Sequence, residues 1–206
     1  MCRREVDRGN NSAPYFYVLP AEQHDRSEMV SLVRLLQEHG VETYNLKKDV
    51  LVEGRKFSRG DVVVPLAQPF RPFVKEVMEA QKYPVRHYTP GGKIIKPYDI
   101  TSWSLPLHKG VASFQIDNPS KELGENLEKI TSGFTLHSPI PKIFDWYIFP
   151  VTENESFKMA FAARKAGISV KRLKSDLTVE GRTYGEGSFL IKNIVNKSLV
   201  KLLAEL

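Results

Sequence analysis

Apolar runs and helical stripes alternate along this chain in an order that occurs twice. Residues 15–20 (YFYVLP) form a short β-rich run that ends at a proline, and apolar residues at helical spacing follow over residues 27–39. The same order returns at residues 146–151 (WYIFPV) and residues 156–166. A glycine follows each helical stripe, as is typical of a helix end. The pattern therefore predicts two strand–helix units, one in each half of the chain.

The segments that follow these two helices are similar in sequence. Residues 46–64 read LKKDVLVEGRKFSRGDVVV and residues 173–191 read LKSDLTVEGRTYGEGSFLI, with eight of 19 positions identical. Both contain the tripeptide EGR, in which glycine supplies the positive φ of a tight turn. The sequence therefore predicts an internal duplication in which each copy contains a hairpin.

Alternating strands and helices predict the fold class. Each copy is expected to run β–α–β, to continue through the EGR hairpin into another apolar strand, and to end in a helix (residues 72–81 and 197–206). This order favours a mainly parallel sheet flanked by helices. We therefore predict an α/β, flavodoxin/amidotransferase-like fold built from two similar β-α-β-hairpin lobes. The predicted divisions are a polar N-terminal tail (1–13), a first α/β repeat (14–82), a connecting region (83–142) and a second α/β repeat (143–206).

The connecting region is rich in proline, glycine and aromatic residues, and it is too apolar for a flexible linker. Residues 111–117 predict a strand, and residues 120–130 predict a helix with a capping sequence before it. Tyr98, Asp99 and Trp103 are candidates for lining a groove. The alternative is that these side chains pack in the interior, as most buried aromatic residues do.

Composition adds few constraints. The chain has 206 residues, of which 41% are hydrophobic and 26% charged, as in an ordinary globular protein. The sequence contains no apolar run long enough to span a bilayer, no signal-peptide pattern near its start, and a single cysteine, Cys2. The net charge is +6, but basic residues alternate with acidic ones and no nucleic-acid motif is present. We therefore expect no nucleic-acid and no membrane binding, and the compartment stays open.

The sequence lacks the common catalytic motifs. It contains no GxSxG nucleophile elbow, no GxxxxGK[ST] phosphate loop and no GxGxxG fingerprint. His39 and Glu42 match the HxxE spacing of zinc carboxypeptidases, but they straddle the predicted helix end. We therefore predict no catalytic residue, no metal ligand and no cofactor in this chain.

Candidate ligand-binding residues follow predicted strands, because ligands of open α/β sheets bind beyond the carboxyl ends of strands. His24 and Asp25 lie between the first strand and its helix, while Gln68 and Arg71 follow the last strand of the first copy. An arginine in this place is suited to a carboxylate or a phosphate. The structural alternative is that Asp25 or Ser27 caps the helix while His24 and Arg71 are exposed.

Three long segments resemble one known family. Residues 21–42 (AEQHDRSEMVSLVRLLQEHGVE), 60–79 (GDVVVPLAQPFRPFVKEVME) and 83–111 (YPVRHYTPGGKIIKPYDITSWSLPLHKGV) look like the region downstream of the peptidase domain in bacterial zinc carboxypeptidase (carboxypeptidase A-like) family proteins. The resemblance implies a non-catalytic accessory region whose partner is a peptidase domain of the same or a neighbouring polypeptide. It implies zinc for that peptidase domain alone, and export to the periplasm or the extracellular space. The alternative function is a stand-alone module that binds a small ligand or a peptide.

Overall fold

The chain divides into two compact units. A computed structural model describes residues 2–81, 84–96, 103–131, 133–135 and 145–193. Unit 1 comprises Met1–Gln23 and Ser31–Phe134, and unit 2 comprises His24–Val30 and Thr135–Leu206. The strands of the two predicted copies lie in different units, and each copy has its own sheet and its own core cluster.

The first copy and the connecting region form the elements of unit 1. In chain order they are α1 (Cys2–Asn11), β1 (Phe16–Leu19), α2 (Arg26–Glu38, of which the first residues fall within unit 2), β2 (Tyr44–Leu46), β3 (Val50–Val52), β4 (Arg55–Phe57), β5 (Val62–Pro65), α3 (Arg71–Met78), α4 (Leu105–Lys109), β6 (Phe114–Ile116), α5 (Lys121–Glu125) and β7 (Leu127–Lys129). One sheet has the strand order β6-β1-β5-β2-β7, and β3 with β4 forms a separate two-stranded hairpin.

The described strand pairs of unit 1 are all antiparallel. β5 lies between β1 and β2, so that Val63 is opposite Val18 on one side and opposite Tyr44 on the other. β1 and β2 therefore run in the same direction without pairing. The expectation of a mainly parallel, flavodoxin/amidotransferase-like sheet is wrong, and the fold instead consists of antiparallel sheets with helices.

The cause of this error is the strand that follows the hairpin. The α2 crossover returns β2 in the direction of β1, as a β–α–β unit does. After β3 and β4, however, β5 runs in the opposite direction and occupies the place between β1 and β2. Hydrophobic periodicity identifies strands, but it contains no information about which strand lies between two others in a sheet.

Unit 1 has its core on both faces of the central strands. β1 and β5 are buried almost throughout, which explains their continuous apolar sequences. The part of α2 that belongs to unit 1 buries its apolar side chains, which include Leu32, Val33 and Leu36. Each such side chain contributes roughly 1.5–3 kcal/mol relative to an exposed position. A second buried cluster joins the sheet to the hairpin and to the segment after β6: Val18, Leu46, Val50, Val52, Phe57, Val63, Ile116 and Leu123.

Unit 2 contains the strands of the second copy. Its elements are β8 (Trp146–Phe149), α6 (Asn154–Lys165), β9 (Val170–Arg172), β10 (Leu177–Val179), β11 (Arg182–Tyr184) and β12 (Phe189–Lys192). β12 lies between β8 and β9 and is antiparallel to both, and β10 with β11 forms a hairpin. The order β8-β12-β9 is the counterpart of β1-β5-β2. The helix predicted over residues 197–206 lies outside the described residues.

The two EGR turns have the same backbone conformation. Glu53 and Gly54 have φ values of 51° and 74°, and Glu180 and Gly181 have φ values of 50° and 79°. Positive φ at both central residues is typical of the type I′ turn that joins the strands of a two-residue hairpin. The predicted hairpin is therefore confirmed in both copies.

Two helices differ from the sequence-based expectations. The residues expected to form a polar N-terminal tail instead contain the helix α1. This helix lies directly against the backbone that follows β5, because a Cβ added to Gly9 would lie only 2.1 Å from the carbonyl oxygen of Leu66. The helix expected over residues 120–130 is divided: α5 ends at Glu125, and the chain continues as β7 because the edge of β2 supplies hydrogen-bond partners. Among the described residues, no helix combines the length and the apolar character needed to cross a membrane.

Candidate functional site

Asp25 caps the helix that follows the first strand. Its Oδ1 accepts hydrogen bonds from the backbone N–H groups of Ser27 at 2.9 Å and Glu28 at 3.2 Å. Its Oδ2 accepts from the backbone N–H of Asn154, the first residue of α6 and a residue of the same unit, at 2.9 Å. Asp25 is 7% exposed, whereas the adjacent His24 is exposed. The capping role that the sequence allowed as an alternative is thus observed, and the ligand role of this pair stays a prediction.

Gln68 is held inside unit 1 by backbone groups. Its Oε1 accepts from the N–H of Glu42 at 2.8 Å, and its Nε2 donates to the carbonyl oxygens of Glu42 and Pro65. The side chain is 3% exposed. Gln68 therefore links the segment before β2 to the end of β5. These hydrogen bonds occupy both the oxygen and the nitrogen of its side-chain amide.

Arg71 is also directed inward. Its Nη2 donates to the carbonyl oxygens of Ser12 and Ala13 at 3.3 and 3.0 Å, and its Nε is buried without a hydrogen-bond partner. The residue is 6% exposed. The guanidinium joins the start of α3 to the segment after α1, and a carboxylate or phosphate from solution does not reach it in this arrangement.

The remaining candidates lie in the connecting region. Trp103 precedes α4 and is 48% exposed, so its ring is available at the surface of unit 1. Tyr98 and Asp99 lie outside the described residues. The structure therefore does not bring the seven predicted site residues together in one described cleft.

The two residues of the HxxE pair, His39 and Glu42, contact different partners. The ring Nδ1 of His39 lies 2.8 Å from the carbonyl oxygen of Leu35, and the ring stacks on Phe73. The carboxylate of Glu42 accepts hydrogen bonds from Lys129 and from the hydroxyl of Tyr44. These bonds, that from Lys129 first, lower the pKa of Glu42. In the part of the chain that the structure describes, no group of three His, Cys, Asp or Glu side chains is placed to hold a metal ion.

A shallow cleft of about 530 Å³ lies beside this ion pair in unit 1. It is lined by the end of α2, by the residues before β2 and by the end of β7, and its charged residues are Arg34, Glu38, Glu42 and Lys129. Both signs of charge are present at its wall. None of the seven predicted site residues lines it.

The edge strand β9 distinguishes unit 2 from unit 1. β9 pairs with β12 on one side, and across the described ranges no strand pairs with its other side. Its counterpart β2 is covered on that side by β7, with Asn45 opposite Glu128. Within the part of unit 2 that the structure describes, β9 therefore presents backbone N–H and C=O groups on an open edge, where another strand can pair.

The hairpins of the two units differ in the same way. Val52 on the first hairpin is 6% exposed, because Leu123 of α5 belongs to the same buried cluster. Its counterpart Val179 on the second hairpin is 40% exposed. Trp146, on the neighbouring sheet, is 38% exposed. Unit 2 thus leaves exposed the apolar positions that unit 1 covers with the α5–β7 segment.

The open edge is also basic. Residues 170–174 (VKRLK) contain three cations and no acid, and Lys171 and Arg172 are exposed. The Nζ of Lys171 lies 5.2 Å from the ring centroid of Trp146, and Nε of Arg172 donates to the carbonyl oxygen of Gly187. Within the described residues, neither cation forms an ion pair. We call β9 together with the β10–β11 hairpin the open face of unit 2.

Sequence reasoning did not identify the open face, although the aligned copies contain a signal for it. Identical residues in the two copies indicate what the copies share, whereas the signal for the open face is a difference: Tyr44 and Asn45 of the first copy correspond to Lys171 and Arg172 of the second. The first copy thus has an uncharged, covered strand at the place where the second copy has a charged one. No family model, no curated protein and no solved structure matches this chain.

Proposed function

We propose that this chain is a non-catalytic accessory module of a zinc-carboxypeptidase-like protein, and that it docks onto a peptidase domain through the open face of unit 2. The observation that carries the proposal is the difference between the copies. β2 and its hairpin are covered by β7 and α5, whereas β9 and its hairpin are exposed. The resemblance of three segments to the region downstream of such peptidase domains suggests the partner.

Strand addition is the binding mode that suits this surface. An exposed edge strand pairs with an extended segment through main-chain hydrogen bonds, and adjacent apolar positions add specificity. Val179 and Trp146 are exposed apolar residues on the hairpin and the sheet of the same unit. Zinc chemistry is assigned to none of the residues of this chain and belongs, in this proposal, to the partner.

The internal roles of three predicted site residues support a scaffold function. Asp25, Gln68 and Arg71 hold helix starts and strand ends with their polar atoms. A rigid scaffold is useful for docking, because less conformational entropy is lost when the partner binds.

Binding to a peptidase domain of the same or a neighbouring polypeptide tests the proposal. Isothermal titration calorimetry of the full chain with that domain is expected to show binding, and Val179→Asp is expected to weaken it at least about tenfold by burying a charge. Leu51→Asp is the matched control, since Leu51 is exposed on the first hairpin. Equal binding by both variants contradicts docking through the open face. Zinc-dependent release of a C-terminal amino acid by the isolated chain contradicts a non-catalytic role.

The cleft beside Glu42 favours a second candidate function, a stand-alone module for a small ligand or a peptide. Its volume of about 530 Å³ is within the range of small-molecule sites. The charges of Arg34 and Lys129 suit a carboxylate-bearing ligand. Thermal stabilisation of the chain by free amino acids or short peptides, lost in Arg34→Ala, is the expected result for this candidate.

A further inference from the structure

The register between β2 and β7 shows what completes a sheet of this kind. Leu127 is opposite Leu46, Glu128 is opposite Asn45, and Lys129 is opposite Tyr44. The same segment supplies Leu123 to the core cluster under the hairpin just before β7 begins. One helical turn with a leucine, followed by a short strand, therefore covers both the edge strand and the hairpin of unit 1.

The charges along this edge are arranged differently in unit 2. In unit 1 the covering strand supplies the cation Lys129, and the acid that binds it is Glu42, two residues before Tyr44. The counterparts of Glu42 and Tyr44 in the second copy are Ser169 and Lys171. A lysine on a strand covering β9 would therefore meet Lys171 instead of an acid, and like charges directly opposite each other are destabilising.

Self-association through β9 is disfavoured by the same charges. An antiparallel pair of two β9 strands would place residues 170–174 of two copies, each with three cations and no acid, side by side. Acidic side chains at these positions would instead form cross-strand ion pairs with Lys171 and Arg172.

We propose that the segment recognised by the open face of unit 2 is an acidic extended strand of another polypeptide, preceded by an apolar side chain and paired antiparallel with β9 so that carboxylates are opposite Lys171 and Arg172. This inference rests on the proposed docking function and names the chemistry of the partner segment. The apolar residue would cover Val179 and its neighbours, as Leu123 covers Val52 in unit 1.

Residues 119–131 of the chain itself supply a set of matched probes. A synthetic peptide of this sequence contains α5 and β7, with Glu128 at the position expected opposite Arg172 and Lys129 at the position expected opposite Lys171. The Lys129→Glu peptide places acids at both positions, and the Glu128→Lys peptide places cations at both. Fluorescence anisotropy of the three labelled peptides with the full chain then measures the charge preference alone.

The expected order of affinity is Lys129→Glu, then the native sequence, then Glu128→Lys, with about tenfold between the first two at low salt. The difference is expected to shrink as salt screens the pairs. In a chain with Lys171→Glu, the native peptide is expected to bind better than the Lys129→Glu peptide. The matched control, a chain with Lys93→Glu, makes the same charge change at an exposed lysine of unit 1 and is expected to keep the original order.

Equal affinities for the three peptides, or an order that Lys171→Glu does not reverse, overturn the acidic-strand inference. Absence of binding by all three peptides, or dimerisation of the chain that Lys171→Glu changes, overturns it as well. Binding of the peptidase domain through Val179 with no peptide preference would reject the acidic strand and keep the docking function. Peptide preference without any binding of a peptidase domain would keep the acidic strand and reject the choice of partner.

Discussion

Gln68 and Glu42 are joined by two hydrogen bonds, one in each direction. The N–H of Glu42 donates to Oε1 of Gln68 at 2.8 Å, and Nε2 of Gln68 donates to the carbonyl oxygen of Glu42 at 3.2 Å. The side-chain amide of Gln68 thus forms with the backbone of Glu42 the two hydrogen bonds that a neighbouring strand would otherwise form. Because Gln68 is 3% exposed, water does not replace these bonds when the side chain is removed.

Gln68→Ala is therefore expected to lower the free energy of unfolding by about 2–3 kcal/mol, since it leaves buried backbone groups without partners. Urea denaturation followed by circular dichroism measures the change. Gln81→Ala is the control, because Gln81 is exposed and bonds through its side chain to Glu76 alone among the described residues. A loss below about 0.5 kcal/mol, the size of an ordinary surface substitution, contradicts the structural role of Gln68.

Asp25→Ala is expected to cost about 1 kcal/mol, because the carboxylate caps the first turn of α2. Asp25→Ser keeps one capping oxygen and is expected to recover part of the loss, because serine has no second oxygen for the N–H of Asn154. His24→Ala changes an exposed neighbour and is expected to leave the free energy of unfolding unchanged. Thermal denaturation of the three variants measures these effects, and equal losses in Asp25→Ala and His24→Ala would contradict the cap.

The carboxylate of Glu53 links the first hairpin to the segment after β6, and Glu53→Ala tests this contact. Its Oε1 accepts hydrogen bonds from the N–H of Asp117 at 2.9 Å, and from the N–H and Nδ2 of Asn118 at 2.8 Å each. Loss of these charge-assisted bonds is expected to cost about 1–2 kcal/mol.

Glu180→Ala is the matched control for Glu53→Ala. The two glutamates have φ values of 50° and 51°, so alanine has the same backbone cost at both positions. For Glu180 the described residues show no equivalent hydrogen bonds. Equal destabilisation of the two variants in chemical denaturation would show that the turn conformation, and not the contact with residues 117–118, explains the effect.

Stability is expected to fall at alkaline pH partly because of Tyr44. Burial first, and then the hydrogen bond to Glu42, raise the pKa of Tyr44 from its ordinary 10.0 to about 12 in the folded chain. A raised folded-state pKa gives stability that is fully present below the unfolded pKa and is lost as the pH rises through the folded pKa. The contribution of Tyr44 is therefore lost between about pH 10 and pH 12.

Tyr44→Phe is expected to reduce the loss of stability over this interval. Urea denaturation at about pH 9 and about pH 11.5 measures the loss in both chains. Tyr88→Phe, at a tyrosine that is 74% exposed, is the control and is expected to keep the loss of the parent chain. An unchanged loss in Tyr44→Phe would contradict the burial of the Tyr44 hydroxyl. Burial also raises the pKa of Tyr17, so a residual loss is expected in every variant.

Local interactions explain what could be predicted at the candidate sites. Asp25 precedes a helical stripe, so its capping role is visible in the sequence as an alternative to ligand binding. The inward direction of Gln68 and Arg71 is not visible in the sequence, because most of their partners are backbone groups far away in the chain: Glu42 for Gln68, and Ser12 and Ala13 for Arg71. Both residues follow a strand end, and that position alone suggests a ligand role.

The sequence by itself determined the local elements of the two copies: their strands, the helices α2 and α6 with the glycines that follow them, and the EGR turns. These features depend on residues close together in the chain, where periodicity and backbone conformation act directly. The tertiary structure alone decided that β5 and β12 enter their sheets antiparallel, that α5 and β7 complete the sheet and hairpin of unit 1, and that β9 stays open within the described residues. Such pairings join segments distant in sequence, and their free energy comes from long-range hydrogen bonding and burial that no short window contains.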